Sequence, residues 1–335
     1  MFKIMKKFNK YCLFFIFTGL FVSIFCGCNP KEPQAGSLIP KKCNFFIKID
    51  FPLLFEGLNQ EAALADKAGA KDAVQLKELA ANFKKAAGID AADLVNAYAA
   101  IDIADLTDFS RPPQNPPPAF LSVLCTRNPA NDILLNLSST QNQAEPVKIK
   151  NHDFYRLKGS ETRYLFFKDK IAAFAQTEPL QLASCADDIK NSILSDSLIS
   201  NFLGLTDKSD SDHDFLKVLF IPSEIQKSLF TNISVKGLQF VKHFTLGMNK
   251  KTSTLNLVFH GDKPENQEKI KSSVLALRMI LSAMTAGRMD LQKVVETIKI
   301  KVLDSNRVAM QMQADPFFVS AFLNGLVKGL GDDQK

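Results

Sequence analysis

The sequence has no tryptophan and only four tyrosines and four histidines among its 335 residues. It also lacks the short spacings that announce common chemistry. There is no C-x-x-C pair, so neither a redox dithiol nor a zinc site is signalled, and none of His152, His213, His243 and His260 has a partner in an H-E-x-x-H spacing. No G-x-S-x-G elbow is present, which leaves a serine hydrolase without its usual mark. Gly325, Gly329 and Gly331 follow an apolar helical run rather than a strand, so they read as a helix end and not as a dinucleotide-binding loop. The sequence thus names no catalytic residue, no cofactor and no metal.

The longest run free of charge is at the start. Lys3, Lys6, Lys7 and Lys10 precede Tyr11 to Phe25, which is almost wholly apolar and ends at Cys26-Gly27-Cys28-Asn29-Pro30. A membrane-crossing helix needs about 20 apolar residues; this run is shorter and has the layout of a secretion signal. The segment Phe25-Cys26-Gly27-Cys28 resembles the lipobox of bacterial lipoproteins, with Gly27 as the small residue before the modified cysteine. The resemblance implies cleavage before Cys28 and diacylglyceryl transfer to its thiol, while bulky Phe25 makes Cys26 the poorer acceptor. Each buried methylene of an acyl chain contributes about 0.8 kcal/mol, so several chains hold firmly where one holds marginally. Asn29, in place of the Asp that in some bacteria retains a lipoprotein at the inner membrane, favours the outer membrane.

The signal's four lysines account for all but two of the six net positive charges, so the mature part is close to neutral. That gives no electrostatic footprint for nucleic acid. Roughly 300 residues remain, enough for a proper core without staples. The mature cysteines, Cys43, Cys125 and Cys185, are odd in number, so at most one internal disulfide can form. Cys43 and Cys125 lie in apolar strand-like runs and Cys185 on an expected helix, which favours buried free thiols.

A pattern of apolar strand, proline and helix recurs: Phe45 to Asp50 with Pro52, Phe120 to Thr126 with Pro129, Ile171 to Gln176 with Pro179, Phe215 to Phe220 with Pro222, Leu255 to His260 with Pro264, and Val308 to Ala314 with Pro316. Proline suits a first helical turn because its missing N–H would have no partner there, and Asn128 and Asp315 stand where a side chain can cap. Short polar links predict hairpins pairing Tyr164–Phe167 with Ile171–Ala175, Phe240–Met248 with Thr252–Phe259, and Ile298–Leu303 with Arg307–Gln313. After Pro264, Ile270, Val274, Leu277, Leu281 and Met284 fall on one helical stripe that can cover a sheet. The expected class is α+β, with antiparallel sheets built from hairpin-plus-helix units in two halves. The expected division is a signal over 1–27, a tether over 28–37, a first half over 38–205, a linker over 206–212, a second half over 213–330 and a tail over 331–335.

Three features tempt a functional reading. Asp210, Asp212 and Asp214 alternate like calcium-loop ligands, but the turn glycine and the closing glutamate are missing, Ile221 standing in the latter's place, so a solvated loop is the better reading. The proline-rich Arg111 to Pro118 could dock as polyproline II but equally serves as a stiff loop between strands. The 28 phenylalanines invite an apolar ligand, although many belong to the signal or to expected core faces, so core packing is the default reading.

Leu38-Ile39-Pro40 leading into Phe45 to Asp50, Gly88-Ile89-Asp90 followed by Asp93-Leu94, and Lys236-Gly237-Leu238 give the mature chain a layout that resembles a group of bacterial envelope proteins built from repeated strand and helix units. That resemblance implies an extracytoplasmic α+β fold and transfers no catalytic residue. The expectation is a lipid-anchored envelope protein, held to the membrane through Cys28, that engages other envelope proteins or the cell wall. A carrier or sensor of an apolar molecule such as a lipid is the alternative, and an enzyme drawing on Asp90, Asp93 and His152 the third.

Overall fold

A computed structural model of the chain describes residues 33–54, 93–103, 120–126, 144–157, 163–168, 170–176, 179–205, 214–232, 235–249, 254–285 and 289–313. The signal, Cys28, Asp90, the proline-rich segment, Asn128, the run from Asp207 to His213, Asp315 and the glycines after residue 324 lie outside the described residues. The described residues fall into two compact units, one up to Leu205 and one from Asp214 onward.

In the first unit the strands are β1 (Phe45–Asp50), β2 (Leu94–Ile101), β3 (Phe120–Thr126), β4 (Ala144–Ile149), β5 (His152–Leu157), β6 (Arg163–Lys168) and β7 (Ile171–Gln176). They pair antiparallel in the order β1-β2-β3-β7-β6-β5-β4. The second unit has β8 (Asp214–Phe220), β9 (Val241–Asn249), β10 (Thr254–Gly261), β11 (Lys299–Asp304) and β12 (Arg307–Gln313), antiparallel in the order β8-β9-β10-β12-β11. Both units wind alike: three strands in sequence, then a hairpin that docks by its second strand. The first unit extends this plan with the β4–β5 hairpin. The fold is therefore α+β, and the three expected hairpins are present.

Local sequence explains how strands hand over to helices. Asp50 Oδ1 accepts from the Leu53 amide at 2.9 Å, capping the helical residues that begin at Phe51, with Pro52 in the first turn. After β8, Ser223 and Gln226 form a reciprocal capping box: the Gln226 amide donates to Ser223 Oγ at 3.2 Å and the Ser223 amide to Gln226 Oε1 at 3.0 Å. That starts a helix over Glu224–Asn232. Pro179 opens the helix Pro179–Asp187 after β7, and Pro264 opens a 3-10 turn ahead of Gln267–Thr285. Besides the turn that begins at Phe51, the helices among the described residues are, in chain order, α1 (Pro33–Gly36), α2 (Pro179–Asp187), α3 (Ser197–Phe202), α4 (Glu224–Asn232), α5 (Gln267–Thr285) and α6 (Met289–Glu296).

The end of the expected tether is not a tether. Residues 33–36 form α1, and Ala35, Leu38 and Ile39 are buried. A Cβ on Gly36 would lie 2.8 Å from both Leu194 Cδ2 and Leu205 Cδ1, so a larger residue here would push those two leucine side chains aside. The Ile193 amide then donates to Ile39 O at 2.8 Å and ties the segment down. Three apolar side chains close together outweigh the composition of their polar neighbours.

In the first unit β1, β2 and β7 are dry on both faces. Phe46 and Ile47, Ala99 and Ala100, and Ala173 and Phe174 are all buried although each pair points to opposite sides of its strand. Alanine at six positions of β2 and β7 (Ala97, Ala99, Ala100, Ala172, Ala173 and Ala175) lets covering layers approach closely. Buried Lys48 is accommodated because its Nζ donates to Leu203 O at 2.9 Å, at the carbonyl end of α3, and lies 5.6 Å from the Tyr98 ring centre.

In the second unit β9, β10 and β12 turn one apolar face to a helix. Val241, Phe259, Val308 and Met310 pack under Ile270 and Val274 of α5, with Leu277 and Leu281 at the margin. A 3-10 turn over Lys236–Phe240 is clamped to α5 where the Gly237 amide donates to Ser273 Oγ at 2.7 Å. A Cβ on Gly237 would meet Lys269 O at 2.1 Å, which explains the glycine.

Candidate functional site

Two histidine constellations and one exposed apolar stripe stand out. The first lies on the face of the second unit's sheet away from α5. The register of the β9–β10 hairpin sets His243 opposite His260, and their rings stack with centres 4.0 Å apart at 23°. Thr245 Oγ1 lies 2.9 Å from His260 Nε2, whereas His243 Nδ1 is buried without a hydrogen-bond partner among the described residues. Burial pushes both imidazoles down to about 4; His260 and then Lys242 act further on His243, and Arg307 on His260, the latter opposed by Asp304. Both rings are thus neutral at neutral pH. Stacked face to face, they do not converge on a common point as two metal ligands would, and no group of three or more His, Cys, Asp or Glu that could hold a metal occurs among the described residues.

A second constellation joins the β4–β5 turn to α2 in the first unit. His152 Nε2 lies 2.7 Å from Asp187 Oδ1, and Lys150 Nζ donates to Ser184 Oγ at 2.9 Å and to Asp187 Oδ2 at 3.4 Å. The hydrogen bond with His152, with Lys150 beside it, holds the Asp187 carboxyl below the usual carboxylate range. Lys150 has φ 53°, a left-handed turn conformation that costs a non-glycine residue free energy. Serine, lysine, histidine and aspartate in one place suggest a nucleophile, but the hydrogen bonds say otherwise. Ser184 Oγ gives its proton to Leu180 O at 2.8 Å and accepts from the Lys150 ammonium, so no base is aimed at it. The cluster is a surface clamp between a hairpin and a helix.

Other sequence candidates separate. Asp93 precedes β2 while His152 begins β5, four strand spacings away in the sheet order, roughly 19 Å. Asp214 accepts from Asn249 Nδ2 at 3.0 Å across the β8–β9 pair, a role in closing the sheet rather than in holding an ion. Cys43, Cys125 and Cys185 are free and buried. Burial pushes the Cys43 thiol up to about 12, with Asp102 adding to it, and the Cys185 thiol up to about 11, so both stay protonated and unreactive.

The third feature was not foreseen. The expected stripe of α5 does face the core: Ile270 and Val274 are buried, and Leu277 and Leu281 pack beside them. On the other side of the same helix Leu275 and Met279, one turn apart, are 44% and 73% exposed, and Ile280 on the flank is 38% exposed. The run Val274-Leu275-Ala276-Leu277-Arg278-Met279-Ile280-Leu281 is apolar nearly all round, and the sheet can cover only one side of it. Among the described residues no helix is long and apolar enough to cross a membrane.

No protein-family model matches the sequence, and no curated protein does. Among solved structures, crystal form III of TP0453 is similar with a TM-score of 0.45 and 9% identity, over 86% of this chain and 97% of that one. Form IV gives 0.43 and 7%, over 86% and 96%, and form I gives 0.42 and 10%, over 90% and 98%. Likeness at this level assigns neither a family nor a function.

Proposed function

We propose that this chain is a lipid-anchored protein of the bacterial cell envelope, fixed through Cys28, preferentially at the outer membrane, and working by contact with another envelope protein rather than by catalysis. The anchor rests on the signal and the lipobox-like residues before Cys28. The contact role rests on one observation, the exposed Leu275, Met279 and Ile280 of α5. Large apolar side chains grouped on a solvent face mark a binding surface more often than chance exposure.

A protein is a better occupant than a lipid surface because the charges near the stripe are mixed. On α5 itself Glu268 and Lys271 pair at 3.2 Å, and Arg278 lies beside Met279 in sequence. Interfacial membrane helices carry mostly Lys and Arg on their polar side, whereas a polar rim of both signs is usual around a protein interface. A photo-crosslinking residue at position 279, in cells, tests the reading against one at Lys271 on the same helix. The expected result is one discrete envelope-protein adduct from position 279, weaker from 271, and diminished in a Cys28→Ser background. Adducts with lipid alone, or none, would contradict it.

A further inference from the structure

The second unit's strand order ends on β11, which among the described residues has only β12 beside it. The strand is largely exposed, with Val302 and Leu303 at 44% and 48%. An open edge of this kind carries outward N–H and C=O groups at alternate residues and can template a further strand. The first unit's order ends on β4, where Pro146 removes a donor from the strand and blunts it. No proline interrupts β11.

Register divides the side chains of β11 by face. Ile300 and Val302 lie opposite Met310 and Val308, on the side covered by the core of the second unit, while Lys299 and Lys301 lie opposite Gln311 and Ala309 on the other side. Lys301 Nζ donates to Gln311 Oε1 at 3.0 Å, and no carboxylate among the described residues pairs with either lysine. Asp304 is already engaged by Arg307. The edge therefore presents alternating cationic and apolar positions.

We infer that β11 is a docking edge for an extended segment of a partner protein that carries carboxylates at alternate positions and adds to the sheet as a strand. Main-chain hydrogen bonds supply the affinity in such additions and alternate side chains the selectivity. Carboxylates facing Lys299 and Lys301 meet opposite charge across the strand pair, and apolar residues between them continue the side of Ile300 and Val302. A second copy of this chain fits poorly: antiparallel pairing about a two-fold axis sets residues of one face against their own kind, so Lys301 would meet Lys301 or Lys299. The same lysines that deter indiscriminate pairing thus select an acidic strand. This inference is independent of the α5 surface and of the lipid anchor.

The test uses the full chain in detergent and a capped probe peptide, Thr-Val-Glu-Val-Glu-Val-Thr, beside versions with scrambled order and with Lys in place of Glu. The expected result is slowing of amide exchange over residues 299–304 by at least tenfold with the acidic peptide only. Lys299→Glu with Lys301→Glu, both at exposed positions, should lower its affinity at least tenfold and create binding of the Lys peptide. Val302→Pro should abolish both while circular dichroism stays unchanged. Absence of protection, equal binding of all peptides, or acidic-peptide affinity unmoved by the charge reversal would overturn the inference.

Discussion

In the first unit β1, β2 and β7 bury both of their faces, whereas in the second β9, β10 and β12 keep one apolar face under α5 and one mostly polar face bearing His243, Thr245, Asn256, His260 and Gln311. The two units share a winding, so topology does not set this difference. Side-chain pattern does: near-continuous apolar runs such as Ala97 to Ile101 mark strands with two apolar faces, and the alternation of Arg307 to Gln313 marks a strand with one apolar and one mostly polar face.

The sharpest way to break the comparison is to place a charge on each parity of a strand. Ala99→Asp and Ala100→Asp should both prevent folding of the first unit, since a buried unpaired carboxylate costs several kcal/mol and both positions are buried. Met310→Asp in β12 should do the same, while Gln311→Asp should stay within about 0.5 kcal/mol of the parent in urea unfolding. If Ala99→Asp and Ala100→Asp differed as the β12 pair does, two-sided burial would be wrong. Next in size is Phe259→Ala, which should cost about 3–5 kcal/mol because the ring is buried in the core under α5.

A smaller effect comes from acid. The stacked histidines have folded values near 4, below the unfolded value of about 6.5. Above pH about 6.5 both states are neutral and this contribution to stability is fully present; as pH falls toward 4 the unfolded chain binds protons that the folded chain refuses, and stability declines. Double replacement of His243 and His260 by Gln should flatten urea midpoints between those pH values. Smallest is the exposed counterpart: His152→Ala should raise the Asp187 titration midpoint, read by carboxyl chemical shifts, back toward the ordinary carboxylate range with little change in stability, since exposed pairs contribute little.

Much of the fold was legible because its signals are local. Prolines at the ends of strands, the polar links of the hairpins and the Ile270, Val274, Leu277 stripe each constrain a few neighbouring residues. The β4–β5 hairpin was not legible: Pro146 and alternating Glu145 and Lys148 disguise an edge strand as a loop. The paired histidines depend on register. Taking the β9–β10 turn as Asn249 to Lys251 sets His243 against Leu257, whereas the observed pairing of Asn249 with Thr254 sets it against His260. The exposed side of α5 was in plain view in the sequence, but a stripe assigned to the core draws attention from the apolar residues beside it. Which partner covers that side depends on a second molecule, and no pattern within one chain encodes its surface.

The most direct test of the account is the intact mass of the protein taken from a membrane fraction, with Cys28→Ser alongside. The expected mass corresponds to cleavage before Cys28 plus acyl chains and is absent in the variant. A full-length, unmodified mass in both would contradict the anchor and with it the assignment to the envelope surface.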